Sequence, residues 1–239
     1  MPSTPPSYKG HRYPAEVISH CVWRSFRFPL SFREAGKLLP GRGVLVSHET
    51  VRRWCATFGQ GYADALRRRR PGPGDTWHLD EVFVRINGVR QYRWRAVDAD
   101  GTVPGLLVQG RRDAAAARRF FRKLLTKTCS VPRVIVTDQL RPCGTAHREL
   151  MPSVGHRSHR GLNNGAENSH RPTRQRERAM TGFRSAGGAQ RFLAAFRGIS
   201  PHVRPRRHRM TAPEYRIEMT LRFAIREQVT GVAGRPAAA

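Results

Sequence analysis

Three acidic side chains stand out in a chain whose charge is overwhelmingly basic. They are Asp80 in WHLDEVFV, Asp138 just after RVIVT, and Glu167 in LNNGAENSHRPTRQRER. An aspartate at a strand end is ordinarily a turn or cap residue, so the pattern carries weight only as a set. Carboxylates brought side by side repel each other unless divalent cations neutralise them. Magnesium takes hard oxygen ligands and keeps places for water and phosphate. Two such ions roughly 3.5–4 Å apart can serve both the attacking and the leaving oxygen of a phosphodiester displacement. The expected chemistry is Mg²⁺-dependent polynucleotidyl transfer with two ions, Mn²⁺ substituting, and with Asp80, Asp138 and Glu167 as catalytic metal ligands.

The neighbours of these residues have expected roles as well. Glu81 follows Asp80 directly, so strand alternation points it to the opposite face and away from the ligand set. If Glu167 lies on a helix, Asn163 and Arg174 share its face, with His170 and Arg171 close by. Asn163 and His170 would then support the metal site from behind, while Arg171 and Arg174 would contact DNA. Pro172 interrupts this picture by removing a helical hydrogen bond. Either it kinks the helix, or a second helix begins with Pro172 in its first turn.

The aspartates need a scaffold that brings them together. TWHLDEVFVRI and VRQYRWRAVD are strand-like and flank Asn87-Gly88, the strongest short hairpin signal. A turn at DADG leads to a third strand in TVPGLLVQG. Asp113 is placed to cap a helix whose stripe is Ala117, Phe120, Phe121, Leu124 and Leu125. VPRVIVTD reads as a buried strand parallel to the first, and a further helix is expected over 145–150. The order βββ-α-β-α-helix is ribonuclease H-like: an α/β fold with a mixed sheet and flanking helices. In that order the first and fourth strands are neighbours, and Asp80 lies beside Asp138.

The rest of the chain points to nucleic acid. Formal net charge is +27 over 239 residues, and only Lys9, Lys37, Lys123 and Lys127 are lysines. Guanidinium forks match phosphate geometry, and so basic a chain calls for a polyanionic partner. After a short tail, 1–13, three helical segments follow. Ser31 is a good N-cap for FREAGKLL and Ser47 for HETVRRWCATFG. This is a helix-turn-helix shape with Arg52 and Arg53 on the later helix. LRRRRPGPGD reads as a linker. The expected divisions are 1–65 helix-turn-helix domain, 66–75 linker, 76–200 catalytic domain and 201–239 basic tail. The four cysteines show no zinc-type spacing. No apolar leader or membrane-length run is present, so the expectation is a cytoplasmic, nucleoid-associated protein.

WHLDEVFVRING, YRWRAVD, VIVTDQL and GLNNGAENSHRPTRQRER together resemble the sequence blocks of bacterial insertion-sequence transposases of the DDE class, and among them the insertion-sequence family numbered six. The resemblance spans roughly 13–215. It implies that Asp80, Asp138 and Glu167 form the catalytic triad, that Arg174 is the basic residue following the glutamate, and that the N-terminal helices bind terminal inverted repeats. It further implies cleavage that frees a 3′-OH, attack of that 3′-OH on target DNA, replicative transposition through a cointegrate, and action as a homodimer or larger synaptic assembly. The alternative is a catalytically degenerate relative that only binds DNA. A nuclease for RNA–DNA hybrids would share the fold but leave the N-terminal helices unexplained.

Overall fold

The computed structural model describes residues 6–232, apart from 71, 100, 139–140, 160–169, 181, 206 and 208–209. Its contacts divide the chain into two compact units, Met1–Arg70 with Ala194–Ala239, and Pro71–Leu193.

The second unit carries the sheet. Strands β1 (Thr76–Ile86) and β2 (Val89–Asp98) form an antiparallel hairpin through Asn87 and Gly88, with φ of 50° and 78°. Both angles are positive, as a type I′ turn requires. β3 (Gly105–Gln109) continues the meander, and β4 (Val134–Thr137) and β5 (Gly155–Ser158) run parallel to β1. The sheet order is β3-β2-β1-β4-β5, the mixed ribonuclease H-like arrangement expected. β5 is an addition to the expected elements. Three of its four residues are polar, and it exists because β4, buried along its whole length, needs a partner for its second edge.

Helices α4 (Ala114–Thr128) and α5 (Arg141–Leu150) belong to one face of this sheet. Asp113 caps α4 by accepting from the Ala116 amide at 2.8 Å. Trp77, Leu79, Trp94, Phe120, Phe121, Leu124 and Ile135 make up the core there. Burying each of these large side chains stabilises the fold by roughly 1.5–3 kcal/mol. The opposite face holds a second cluster, Val84, Ile86, Leu106, Phe183, Ala189 and Leu193. Near it lie α6 (Arg171–Ala179) and the first half of α7 (Ala186–Val203).

The first unit contains α1 (Ala15–Arg27), α2 (Phe32–Lys37), a 3₁₀ turn at Pro40–Arg42, α3 (His48–Arg68) and α8 (Ala212–Thr230). Ser31 and Glu34 form a reciprocal capping box, and Ser47 accepts from the Thr50 amide at 3.2 Å. Three expected boundaries shift. α3 continues through Arg68, into the segment read as a linker, because Tyr62, Ala63, Ala65 and Leu66 extend its buried stripe. Tyr8, read as part of a tail, stacks on Phe58 at 4.8 Å and donates to the Thr230 carbonyl at 2.7 Å. The C-terminal segment, read as a basic tail, contains α8, started by a Thr211–Glu214 capping box and stopped by Gly231 at φ 69°. Among the described residues no helix is long and apolar enough to cross a membrane.

Candidate active site

Register brings the two aspartates together. β1 and β4 are parallel, and their last pair is Leu79 with Thr137, so Asp80, in the middle of β1, and Asp138, directly after β4, each stand one residue further along. Asp80 is buried at 8% exposure, and Asp138 is half-buried. On the other side of β1 the two-residue hairpin sets Asp80 opposite Arg95 and Val82 opposite Arg93. Side chains on one face recur every second residue, so Asp80, Arg93 and Arg95 crowd the same side of the sheet.

His170, just before α6, closes this group. Its Nε2 meets Asp80 Oδ2, and its Nδ1 meets the Arg93 guanidinium. Burial holds the His170 imidazole down to about 4, with Asp80 pulling upward and Arg95 and Arg93 pushing further down. A neutral ring fits both contacts when Nε2–H donates to the carboxylate and Nδ1 accepts from Arg93. Burial also acts to raise Asp80, but the His170 hydrogen bond and the charges of Arg95 and Arg93 prevail and leave its pKa lowered. The guanidiniums are lowered by burial, Arg93 to about 10 and Arg95 to about 9, and both remain charged at neutral pH.

Glu81 points to the α4 and α5 face, as alternation requires, yet it is no surface residue. Its side chain is 2% exposed and pairs with Arg112 at 2.5 Å. Burial pushes its carboxyl up to about 7, and Asp138 and Asp80 push in the same direction against Arg112. Asp80, Glu81 and Asp138 therefore share one electrostatic neighbourhood. Among the described residues no set of three His, Cys, Asp or Glu side chains is arranged to hold a metal ion.

Glu167 and Asn163 lie outside the described residues. Arg171 is the first residue of α6, and its side chain is likewise outside them. Pro172 falls in the first turn of α6, which begins only after His170. Arg174 is exposed on this helix. It thus belongs to a helix that starts beyond Glu167, and the second of the two Pro172 readings holds. Arg52 and Arg53 are exposed on α3. Arg52 is engaged by Glu49 at 2.6 Å and Arg53 lies 3.5 Å from the same carboxylate.

A family model described as a DDE domain (DDE_Tnp_IS240) matches residues 74–206, more than half the chain and all of the sheet. The chain belongs to the insertion-sequence DDE transposases. It is similar to the transposase for insertion sequence element IS257 in transposon Tn4003 of Staphylococcus aureus, 27% identical over 191 residues that cover 78% of this chain and 84% of that protein. The same figures hold for the transposase of insertion sequence-like element IS431mec from S. aureus strain Mu50. The catalytic core domain of HTLV-2 integrase, solved in complex with magnesium in a dimeric form, aligns with 13% identity and a TM-score of 0.41. That alignment covers 52% of this chain and 85% of that one.

DDE transposases are divalent-metal polynucleotidyl transferases, and the donor chemistry of this one fits a hard cation. His170 engages Oδ2 of Asp80, leaving Oδ1 for an external ligand. Asp138 and Asp80 add like-charge repulsion to the burial that raises Glu81, and a cation at the two aspartates would relieve that repulsion. Arg93, Arg95 and the buried Glu81–Arg112 pair are absent from the site residues expected from the sequence. The hairpin register could have found the arginines, because a two-residue turn fixes which β2 residue faces Asp80. Nothing in the sequence shows that Arg112, beyond β3, reaches Glu81.

Proposed function

We propose that this transposase binds the terminal inverted repeats of its element and joins their 3′ ends to target DNA. In this reading Asp80, Asp138 and Glu167 hold Mg²⁺. The observation that supports it best is the β1–β4 register, which sets Asp80 and Asp138 each one residue beyond the last pair, Leu79 with Thr137. When bound, the ions supply Lewis-acid stabilisation to the attacking and leaving oxygens of the phosphodiester.

The chain's own residues prepare the site. Asp80 is held ionised and in one rotamer by Nε2–H of His170, whose tautomer Arg93 sets from the other side of the ring. Arg174, exposed on α6, would hold a DNA phosphate, together with Arg171 three residues before it. Glu167 completes the carboxylate set, and Asn163 supports it. The helices α2 and α3 act as the helix-turn-helix, with Arg52 and Arg53 as phosphate or groove contacts. Of the two, Arg53 is the more available, because Glu49 pairs closely with Arg52.

Gel-shift and joining assays on double-stranded terminal-repeat DNA test this reading. Chelation of divalent ions is expected to leave repeat binding intact and to abolish joined product, with Mg²⁺ or Mn²⁺ restoring it. Joining that persists in chelator would overturn the metal role. Equal affinity for terminal-repeat and unrelated DNA would overturn the end-recognition role.

A further inference from the structure

The outward side of α8 is an apolar stripe on a helix with no net charge. Ile217 and Leu221 are 63% and 55% exposed, with Ala224 exposed beside them, while Phe223 lies off this stripe on a flank of the helix. The other side of the helix is anchored. Arg222 donates to the Pro201 and His202 carbonyls at 2.9 and 2.6 Å, and Val229 and Thr230 are buried. Along α8, Arg216, Arg222 and Arg226 are balanced by Glu214, Glu218 and Glu227, in a chain whose formal net charge is +27. A helix that lies against DNA carries an excess of cations, and this one does not. Exposed apolar patches rimmed by polar residues mark protein interfaces.

We propose that α8 pairs antiparallel with α8 of a second copy of this chain, about a two-fold axis close to Leu221. Ile217, Leu221, Ala224 and Gln228 recur at helical spacing and form one continuous seam. Arg216 and Glu227 are about three turns apart and lie on the same flank of that seam. Antiparallel pairing about Leu221 sets Arg216 of each copy against Glu227 of the other. The symmetry makes the two cross-pairs equivalent. Neither side chain makes an ion pair among the described residues, and both are exposed. Two chains so strongly basic repel each other over most of their surface, so a charge-balanced helix is where a second copy can approach.

Light scattering and sedimentation of the full chain, stripped of nucleic acid, test the pairing across a salt series. The wild type is expected to dimerise, and more strongly as salt screens the repulsion between copies, whereas association bridged by nucleic acid weakens with salt. Ile217→Glu with Leu221→Glu is expected to give monomer. Arg216→Glu alone is expected to raise the dimer Kd roughly tenfold by setting like charges across the seam. Adding Glu227→Arg to Arg216→Glu is expected to restore it. These positions are exposed, and circular dichroism checks that each variant is folded. A wild type monomeric at every soluble concentration would overturn the proposal. So would an unchanged dimer in Ile217→Glu/Leu221→Glu, or a double charge reversal that fails to restore pairing.

Discussion

A neutral imidazole between a guanidinium and a carboxylate satisfies both in only one tautomer. His170 is in that position, with Nδ1 toward Arg93 and Nε2–H toward Asp80. Its removal should be felt twice. Arg93, at 1% exposure, would lose the acceptor it has in the folded state, a cost of about 1–3 kcal/mol for a buried polar group. Asp80 would lose the donor that fixes its rotamer, and supporting partners of this kind typically account for about 10–100-fold in metal affinity. His170→Ala is therefore expected to lower both the melting temperature and the affinity for Mn²⁺, measured by calorimetry. His170→Gln, which can donate and accept, should recover part of both. An unchanged Mn²⁺ affinity in His170→Ala would show that the ring has no part in positioning Asp80.

At the scale of elements, close approach of α7 to α3 depends on Gly198. A Cβ there would lie 2.5 Å from the Ala63 Cβ and 2.9 Å from its Cα, and neither atom can rotate away. Gly198→Ala is expected to destabilise the first unit by about 1–3 kcal/mol, the usual range for overpacking. Gly61 is on the open side of α3 with nothing within 4 Å. Gly61→Ala should stabilise by roughly 0.5–1 kcal/mol through helix propensity, and chemical denaturation of the two variants checks the contrast. The same unit buries His202, whose Nε2–H donates to the Arg222 carbonyl at 3.0 Å. Burial holds this imidazole down to about 4, whereas an unfolded histidine titrates near 6.5. Between those values the unfolded chain binds the extra proton, so stability is complete above about pH 6.5 and falls as pH drops toward 4, by about 3 kcal/mol in all. Thermal melts at pH 7 and pH 5 should separate the wild type from His202→Gln, in which this loss is absent.

The elements also show where sequence reading succeeds and where it stops. Asn87-Gly88, Asp113, Ser31 and Ser47 are local signals with local causes, and each turn or cap sits where its side chain or φ angle requires. The run VIVT reads as a buried strand, and its parallel pairing with β1 sets Asp138 and Asp80 each one residue past the last pair. β5 was not legible because its four residues, Gly-His-Arg-Ser, carry no apolar alternation, and pairing with β4 alone makes them a strand. Arg93 and Arg95 alternate with buried residues as an exposed strand face would, yet both are buried. No local pattern records that covering. Glu81 could be assigned to its face by alternation, but its burial and its Arg112 partner are tertiary facts.

For the whole molecule, the basic excess and the carboxylate neighbourhood are two parts of one requirement. A polynucleotidyl transferase must hold a polyanion by arginine while concentrating acidic ligands at the scissile phosphate. Exposed arginines are proposed to supply the first, and Asp80, Asp138 and Glu167 the second. The account stands or falls on those three side chains being needed for chemistry and not for binding. The most direct measurement is in-vitro strand transfer of terminal-repeat DNA in Mg²⁺ by Asp80→Asn, Asp138→Asn and Glu167→Gln, with DNA affinity measured in parallel. The account predicts that each variant binds the repeats as the wild type does and forms no joined product. Joining at the wild-type rate by any one of the three would contradict it.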